Sequence, residues 1–215
     1  MTTQTKPLNE IVTSPIVTAS FISVDKARPD DNGVLKFSST FIFDPKKLSA
    51  SDQKRLAAMK EIAKKTLVAK FGPECLDASG NPKGNYKWPF RDAADLSKHK
   101  GFEAGKIFFR ASTEQKPSLG KYVVENGVAK VVDVDDTSMF YSGAQVQAKL
   151  NCFAYDAKGN KGVSFGLRSL AFIRDGERLG GGNEDASKAF SGGAGLDASE
   201  LGFEEAANEG GGGLF

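Results

Sequence analysis

Asp133, Asp135 and Asp136, in the run VVDVDD, are the residues of this chain best spaced to hold divalent metals. Two such metals would serve a nuclease-type displacement at phosphorus. Asp133 and Asp135 share one strand face, but Asp136 leaves it, and no nearby histidine or second acidic motif completes the site. A charged strand end that resists edge pairing is the plainer reading. His99 is the one histidine, so any Ser-His-Asp or Cys-His arrangement would have to use it. It lies between Lys98 and Lys100 with no carboxylate to orient it. Cys75 and Cys152 form no CxxC pair, and a structural zinc site is not expected from two thiols and one imidazole. They read as reduced thiols. The glycines of 180–195 lack the order of a phosphate-binding loop. No catalytic residue, metal or cofactor is expected, and the chain does not read as an enzyme.

Stacking and charge neutralisation are better represented. Pro73 to Gly101 is rich in structure breakers, yet it carries Tyr86, Lys87, Trp88, Phe90 and Arg91, followed by Lys98 and Lys100. Aromatics interleaved with bases suit single-stranded nucleic acid: a ring stacks on a base while a cation meets the neighbouring phosphate. A second reading has Trp88 and Phe90 plugging the loop onto the core, and the two stand side by side. In the segment Lys106 to Ser112 (KIFFRAS), strand alternation sets Ile107, Phe109 and Ala111 on one face. Lys106, Phe108, Arg110 and Ser112 take the other. In Gln145 to Tyr155, the inner row is Val146, Ala148, Leu150, Cys152 and Ala154. The outer row is Gln147, Lys149, Asn151, Phe153 and Tyr155. Lys149, Phe153 and Tyr155 together with Lys106, Phe108 and Arg110 are therefore expected to form a nucleic-acid groove.

These residues need strands to hold them. Residues 1–14 are polar and expected to fray. Ser14 to Val24 and Val34 to Phe43 read as strands around a charged loop at 25–33. One helix follows, capped by Ser49 or Ser51 and ended by Gly72-Pro73, with Leu56, Met59, Ile62, Ala63 and Leu67 on its apolar face. Its exposed lysines and arginine read as a solvated face, with nucleic-acid contact as the lesser alternative. Asn126-Gly127 between Lys121–Glu125 and Val128–Val134 signals a hairpin. Asp156 to Gly162 is a turn and Val163 to Arg174 a last long strand. Phe is over-used, at 16 of 215 residues, which favours strands. Six or more strands, one helix and long loops make a mainly β protein, a small antiparallel barrel with insertions. No secretion signal or membrane-spanning run is expected.

Charge divides the chain. The segment 183–215 holds seven acidic residues against Lys188, about −6, and ends on Leu214-Phe215. Since the whole chain carries +2, residues 1–182 carry about +8. A basic body fits a polyanion, and a glycine-rich, flexible acidic tail can imitate one. The expected division is a domain at 1–182 and a tail at 183–215.

The run from Phe140 to Gly182 carries a resemblance. Its Tyr141-Ser142-Gly143 opening, the Phe153 to Tyr155 strand end, the Asn160 to Gly162 turn and the Arg174 to Glu177 exit resemble the signature block of a bacteriophage family. These are single-stranded DNA-binding proteins with an OB-fold and an acidic C-terminal tail. The likeness extends over roughly residues 15–182. It implies an OB-fold-like body that coats and protects single-stranded DNA in phage replication or recombination, in the host bacterial cytoplasm. It adds Tyr141 and Arg168 to the candidate contacts. It implies a tail that contacts replication proteins such as a polymerase or helicase, through Glu200, Glu204, Glu205, Glu209, Leu214 and Phe215. A homodimer or larger oligomer is left open. A metal-dependent nuclease on Asp133, Asp135 and Asp136, or a virion assembly protein, are the alternatives.

Overall fold

A five-stranded ring organises the computed structural model, which describes residues 10–179 except 158. The strands are β1 (Ile11–Thr13), β2 (Val17–Pro29), β3 (Leu35–Phe43), β4 (Tyr86–Lys87), β5 (Arg91–Asp92), β6 (Ile107–Thr113), β7 (Ser118–Glu125), β8 (Val128–Asp133), β9 (Gln145–Ala157) and β10 (Asn160–Arg174). The ring runs β2, β3, β6, β10, β9 and back to β2. Antiparallel neighbours reverse direction at each step, and five reversals cannot close a circle. One seam must be parallel, and it is β6 with β10. β4 and β7 also lie parallel to β10. The expectation of a wholly antiparallel barrel is corrected in this respect.

Closure is thin. β6 and β10 pair only at Ala111–Phe165 and Ser112–Gly166, and β2 and β9 only at Val17–Val146 and Thr18–Gln145. β9 and β10 are by contrast paired along almost their whole length. The architecture is OB-like, a partly closed ring rather than a full barrel.

Strand alternation fills the interior. Val146, Ala148, Leu150 and Cys152 of β9 meet Val163, Phe165 and Leu167 of β10, all buried. Phe109 is the hub, with Phe41 at 5.0 Å and Phe165 at 5.6 Å between ring centroids. The helix α1 (Ala50–Phe71) lays Leu56, Met59, Ile62, Ala63 and Leu67 on this core. Its start is capped as expected, the Asp52 N–H donating to Ser49 Oγ at 3.1 Å. Gly72 ends it at φ +80°, where a Cβ is disfavoured. The β7–β8 hairpin turns through Asn126 (φ +52°) and Gly127 (φ +76°), the two left-handed positions of a type I′ turn.

Three segments differ from expectation. Ile11–Thr13, expected to fray, pairs with β9 at Asn151 to Lys149. β2 runs on to Pro29, so part of the predicted loop is strand. The stretch from Pro73 to Gly101 is not a free loop: β4 pairs with β10, β5 pairs with β6, and short 3-10 turns form at Pro73–Cys75 and Ala93–Leu96. These pairings give it a backbone framework that composition does not reveal. The tail at 183–215 lies outside the described residues, and so do the contacts assigned to it.

Candidate nucleic-acid interface

A groove of about 400 Å³ opens on the outer face of the ring, lined by Lys87, Trp88, Arg91, Phe108, Arg110, Tyr155 and Ser164, among others. Six of these were expected from sequence as nucleic-acid contacts. Three strands and the stapled loop bring them together. β4 hangs on β10 through Tyr86–Lys161 and Lys87–Gly162. Gly162 is required there, because a Cβ would run into the Lys87 carbonyl oxygen. β5 hangs on β6 through Arg91–Phe108. The loop thus forms one wall, and Trp88 stands half-buried in it, 6.1 Å from Phe90. Phe90 packs on Phe109 and Phe165. Phe90 plugs the loop onto the core, and Trp88, which also packs against that core, lines the groove.

The floor is flat because small residues alternate with core residues on β10. Val163, Phe165 and Leu167 point inward, and Gly162, Ser164 and Gly166 take the other face. The β6–β10 register sets Ser164 beside Arg110, and β9 sets Phe153 opposite Ser164 and Tyr155 opposite Gly162. Phe153 is 42% exposed, a large ring offered to solvent. Sequence reasoning missed the small residues, although their alternation in GVSFGL is visible.

Charge in the groove is cationic. Lys87 and Arg110 are exposed and make no ion pair among the described residues. Arg91 pairs with Asp95 at 3.0 Å, and its guanidinium lies 5.3 Å from the Phe108 ring centre. Burial pushes the Tyr155 hydroxyl above the ordinary phenol range, so it stays a neutral donor near neutral pH. Together the groups offer π-faces and fixed positive charge, the two elements a single strand needs.

Not every candidate offers its side chain to the groove. Phe108, expected to display its ring between two bases, is only 1% exposed. It forms a second small core with Ile42, Ala93 and Phe102, because β5 and the Ala93–Leu96 turn cover it. Lys106 turns away from the groove to Glu103, at 3.2 Å. Tyr86 rests on Phe71 of the helix, 5.2 Å between centroids, and docks the loop. Lys149 donates to Thr13 Oγ1 at 2.8 Å, and Arg168 sits exposed at a bulge of β10, both outside the groove lining.

Tyr141 belongs to a clasp at the other end of β10. Its hydroxyl donates to Asp175 Oδ1 at 2.9 Å and accepts from the Gly176 N–H at 3.0 Å, while Arg178 lies over its ring. A side chain on Gly143 would strike the Glu177 carbonyl, and one on Gly176 the Gly143 carbonyl. The Tyr-Ser-Gly and Arg-Asp-Gly-Glu blocks are therefore two halves of one structural contact.

Asp136 accepts from the N–H and hydroxyl of Ser138, which hold its carboxyl below the usual range. Among the described residues no group of three or more His, Cys, Asp or Glu is placed to hold a metal. Cys75 and Cys152 are free and buried. No helix among the described residues is long and apolar enough to cross a membrane.

Known proteins share the fold described above. The profile of the family described as "Enterobacter phage Enc34, ssDNA-binding protein" matches residues 9–200. The single-stranded DNA-binding protein of bacteriophage Enc34, solved in complex with ssDNA, superposes with a TM-score of 0.56 at 19% identity, over 79% of this chain and 89% of that one. Bacteriophage T7 gp2.5, a single-stranded DNA-binding protein, gives a TM-score of 0.50 at 14% identity, over 82% and 98%. "Putative protein p50" of Acyrthosiphon pisum secondary endosymbiont phage 1 is 31% identical over 96 residues, 45% of this chain. The match spans about half of that relative, 48% of its length. With nearly its whole body matched and the same fold in both solved phage proteins, this chain belongs to the Enc34 family of phage ssDNA-binding proteins.

Proposed function

We propose that this protein coats single-stranded DNA without sequence preference during phage DNA replication and recombination in the host bacterial cytoplasm. The observation that carries the reading is the groove in which Arg110 and Lys87 stand with Trp88 and Tyr155, beside the exposed Phe153 that pairs with Ser164 of the floor. Its rings and cations suit any strand. Affinity should come from phosphates and stacking, and so fall steeply with salt. The test is fluorescence anisotropy with labelled oligothymidylate, duplex DNA and RNA at 50 and 300 mM salt. Tight, salt-sensitive binding of the oligothymidylate that Arg110→Ala weakens supports the reading. Equal weak binding of all three at both salts overturns it. Intact oligonucleotide after incubation with magnesium or manganese separates this function from the nuclease alternative.

The acidic segment 183–215 is proposed to compete with DNA for the basic groove and to recruit a phage or host polymerase or helicase. Its charge of about −6 against a body of about +8 supports the competition. Leu214 and Phe215 would supply the apolar contact to the partner.

A further inference from the structure

Among the described aromatics, Phe21 alone has a positive φ. It is 46% exposed and has φ +46°, a left-handed backbone that a bulky residue seldom adopts. Its position has a clear local origin. Between Ser20–Thr40 and Ser23–Ser38, β2 carries one residue more than β3. Ala19 points into the core, so simple alternation would send Phe21 inward after it. The extra residue at the bulge turns Phe21 outward and returns Ile22 and Val24 to the core. The chain thus accepts backbone strain to expose a ring, a combination that marks functional positions more often than structural ones.

What surrounds the ring gives it a chemistry. His99 meets Phe21 edge-on, centroids 5.0 Å apart and planes at 88°. Lys98 and Lys100 flank that histidine; Lys100 pairs with Glu177 at 2.8 Å, and Lys98 has no ion pair among the described residues. Phe102 lies at 5.8 Å from Phe21 and 6.3 Å from His99, and Phe108 at 5.6 Å from Phe102. Phe108 is the ring that Arg91 of the groove covers.

The register aligns Phe21 with the groove. Ser20 pairs with Thr40, Thr40 with Arg110, Arg110 lies beside Ser164, and Ser164 pairs with Phe153. One row of the sheet therefore reads small, small, cation, small, aromatic, and Phe21 follows its first member, Ser20, at the bulge. At about 4.8 Å per strand, Phe21 and Phe153 each lie roughly 10 Å from Arg110 along the sheet. We infer that Phe21, edged by His99, is a second base-stacking station, which extends the single-stranded DNA track across β2 and β3 beyond the groove. The occupant is a nucleobase, because the ring is 46% exposed, is met edge-on by His99 between two lysines, and lies one residue from the row that holds Arg110. The inference rests on the single-stranded DNA reading given above.

The experiment uses the full-length chain and oligothymidylates of 4 to 20 nucleotides, followed by anisotropy. Phe21→Gly removes the ring and also suits the left-handed backbone, so the fold is retained; the thermal midpoint and Trp88 emission check this. Phe21→Trp restores a stacking surface. Expected is a roughly five- to hundredfold loss of affinity in Phe21→Gly for the longer oligonucleotides, little change for the shortest, and recovery in Phe21→Trp. A base photo-crosslink from iododeoxyuridine to the peptide containing Phe21 or His99 would support it further. Unchanged affinity of Phe21→Gly at every length, while Arg110→Ala weakens binding, overturns the second station and leaves the groove standing. Failure of the unaltered protein to bind any single strand overturns both.

Discussion

Burial at single residues sets two measurable properties. Cys152, on the inner row of β9, is surrounded by core, and burial pushes its thiol from 9.0 up to about 11. Below pH 9 the folded and unfolded chains both hold the proton, and this stability is fully present. Between about pH 9 and 11 only the unfolded chain releases it, so stability falls as pH rises, by at most ~3 kcal/mol. Urea unfolding of the protein and of Cys152→Ala should show a stability gap that narrows from pH 8 to pH 10.5. A gap that stays constant would mean the thiol titrates normally. On the opposite row of the same strand, Phe153 is expected to stack. Phe153→Ala should keep the fold and lose about 1–3 kcal/mol of DNA affinity. Unaltered affinity in a folded variant would remove Phe153 from the site, and an unfolded variant would show that its ring supports the core. Trp88, the one tryptophan, should change emission on DNA saturation, because it lines the groove rather than the deep interior.

Among the elements, the long strands and the helix were legible because each carries a period. The inner row of β9 was read correctly down to Cys152, and the helix cap at Ser49 and stop at Gly72 followed local rules. Phe108 was misplaced for a reason that periodicity cannot supply. Alternation put it on the outer face, and it is there, but β5 covers that face, with Arg91 paired to Phe108 from 17 residues away in sequence. The clasp at Tyr141 was not foreseen, because it depends on the β9–β10 pairing continuing past Gln145–Arg174 to bring Gly143 against Glu177. Phe21 was overlooked because a bulge breaks the period that sequence reading depends on. The stapled loop also gives a prediction of its own. Gly162→Val should force β4 off β10, since its side chain has no space beside Lys87. The ring should survive, as β9 and β10 remain paired, but DNA affinity should fall as Lys87 and Trp88 leave the groove. A red-shifted Trp88 emission with unchanged circular dichroism would report that outcome; unaltered emission and affinity would show that β4 does not set the groove wall.

The whole molecule joins a basic body to an acidic segment. Removing 183–215 should raise affinity for single-stranded DNA, most at low salt where opposite charges are least screened. Isothermal titration of both forms at 50 and 300 mM salt measures this, and equal affinities at both would end the competition model. The same truncation should abolish pull-down of a phage polymerase or helicase, and Phe215→Ala should weaken it. The thin β6–β10 seam bears on the molecule in another way. Only Ala111–Phe165 and Ser112–Gly166 suture it, and it runs beneath the groove between Arg110 on one side and Phe153 on the other. The free ring should breathe there, with fast amide exchange near the seam compared with the long β9–β10 pairing. An oligonucleotide gripping both sides would act as a hoop around staves, slowing that exchange and raising the melting temperature with its concentration. The strand that is coated would then hold its own coat closed.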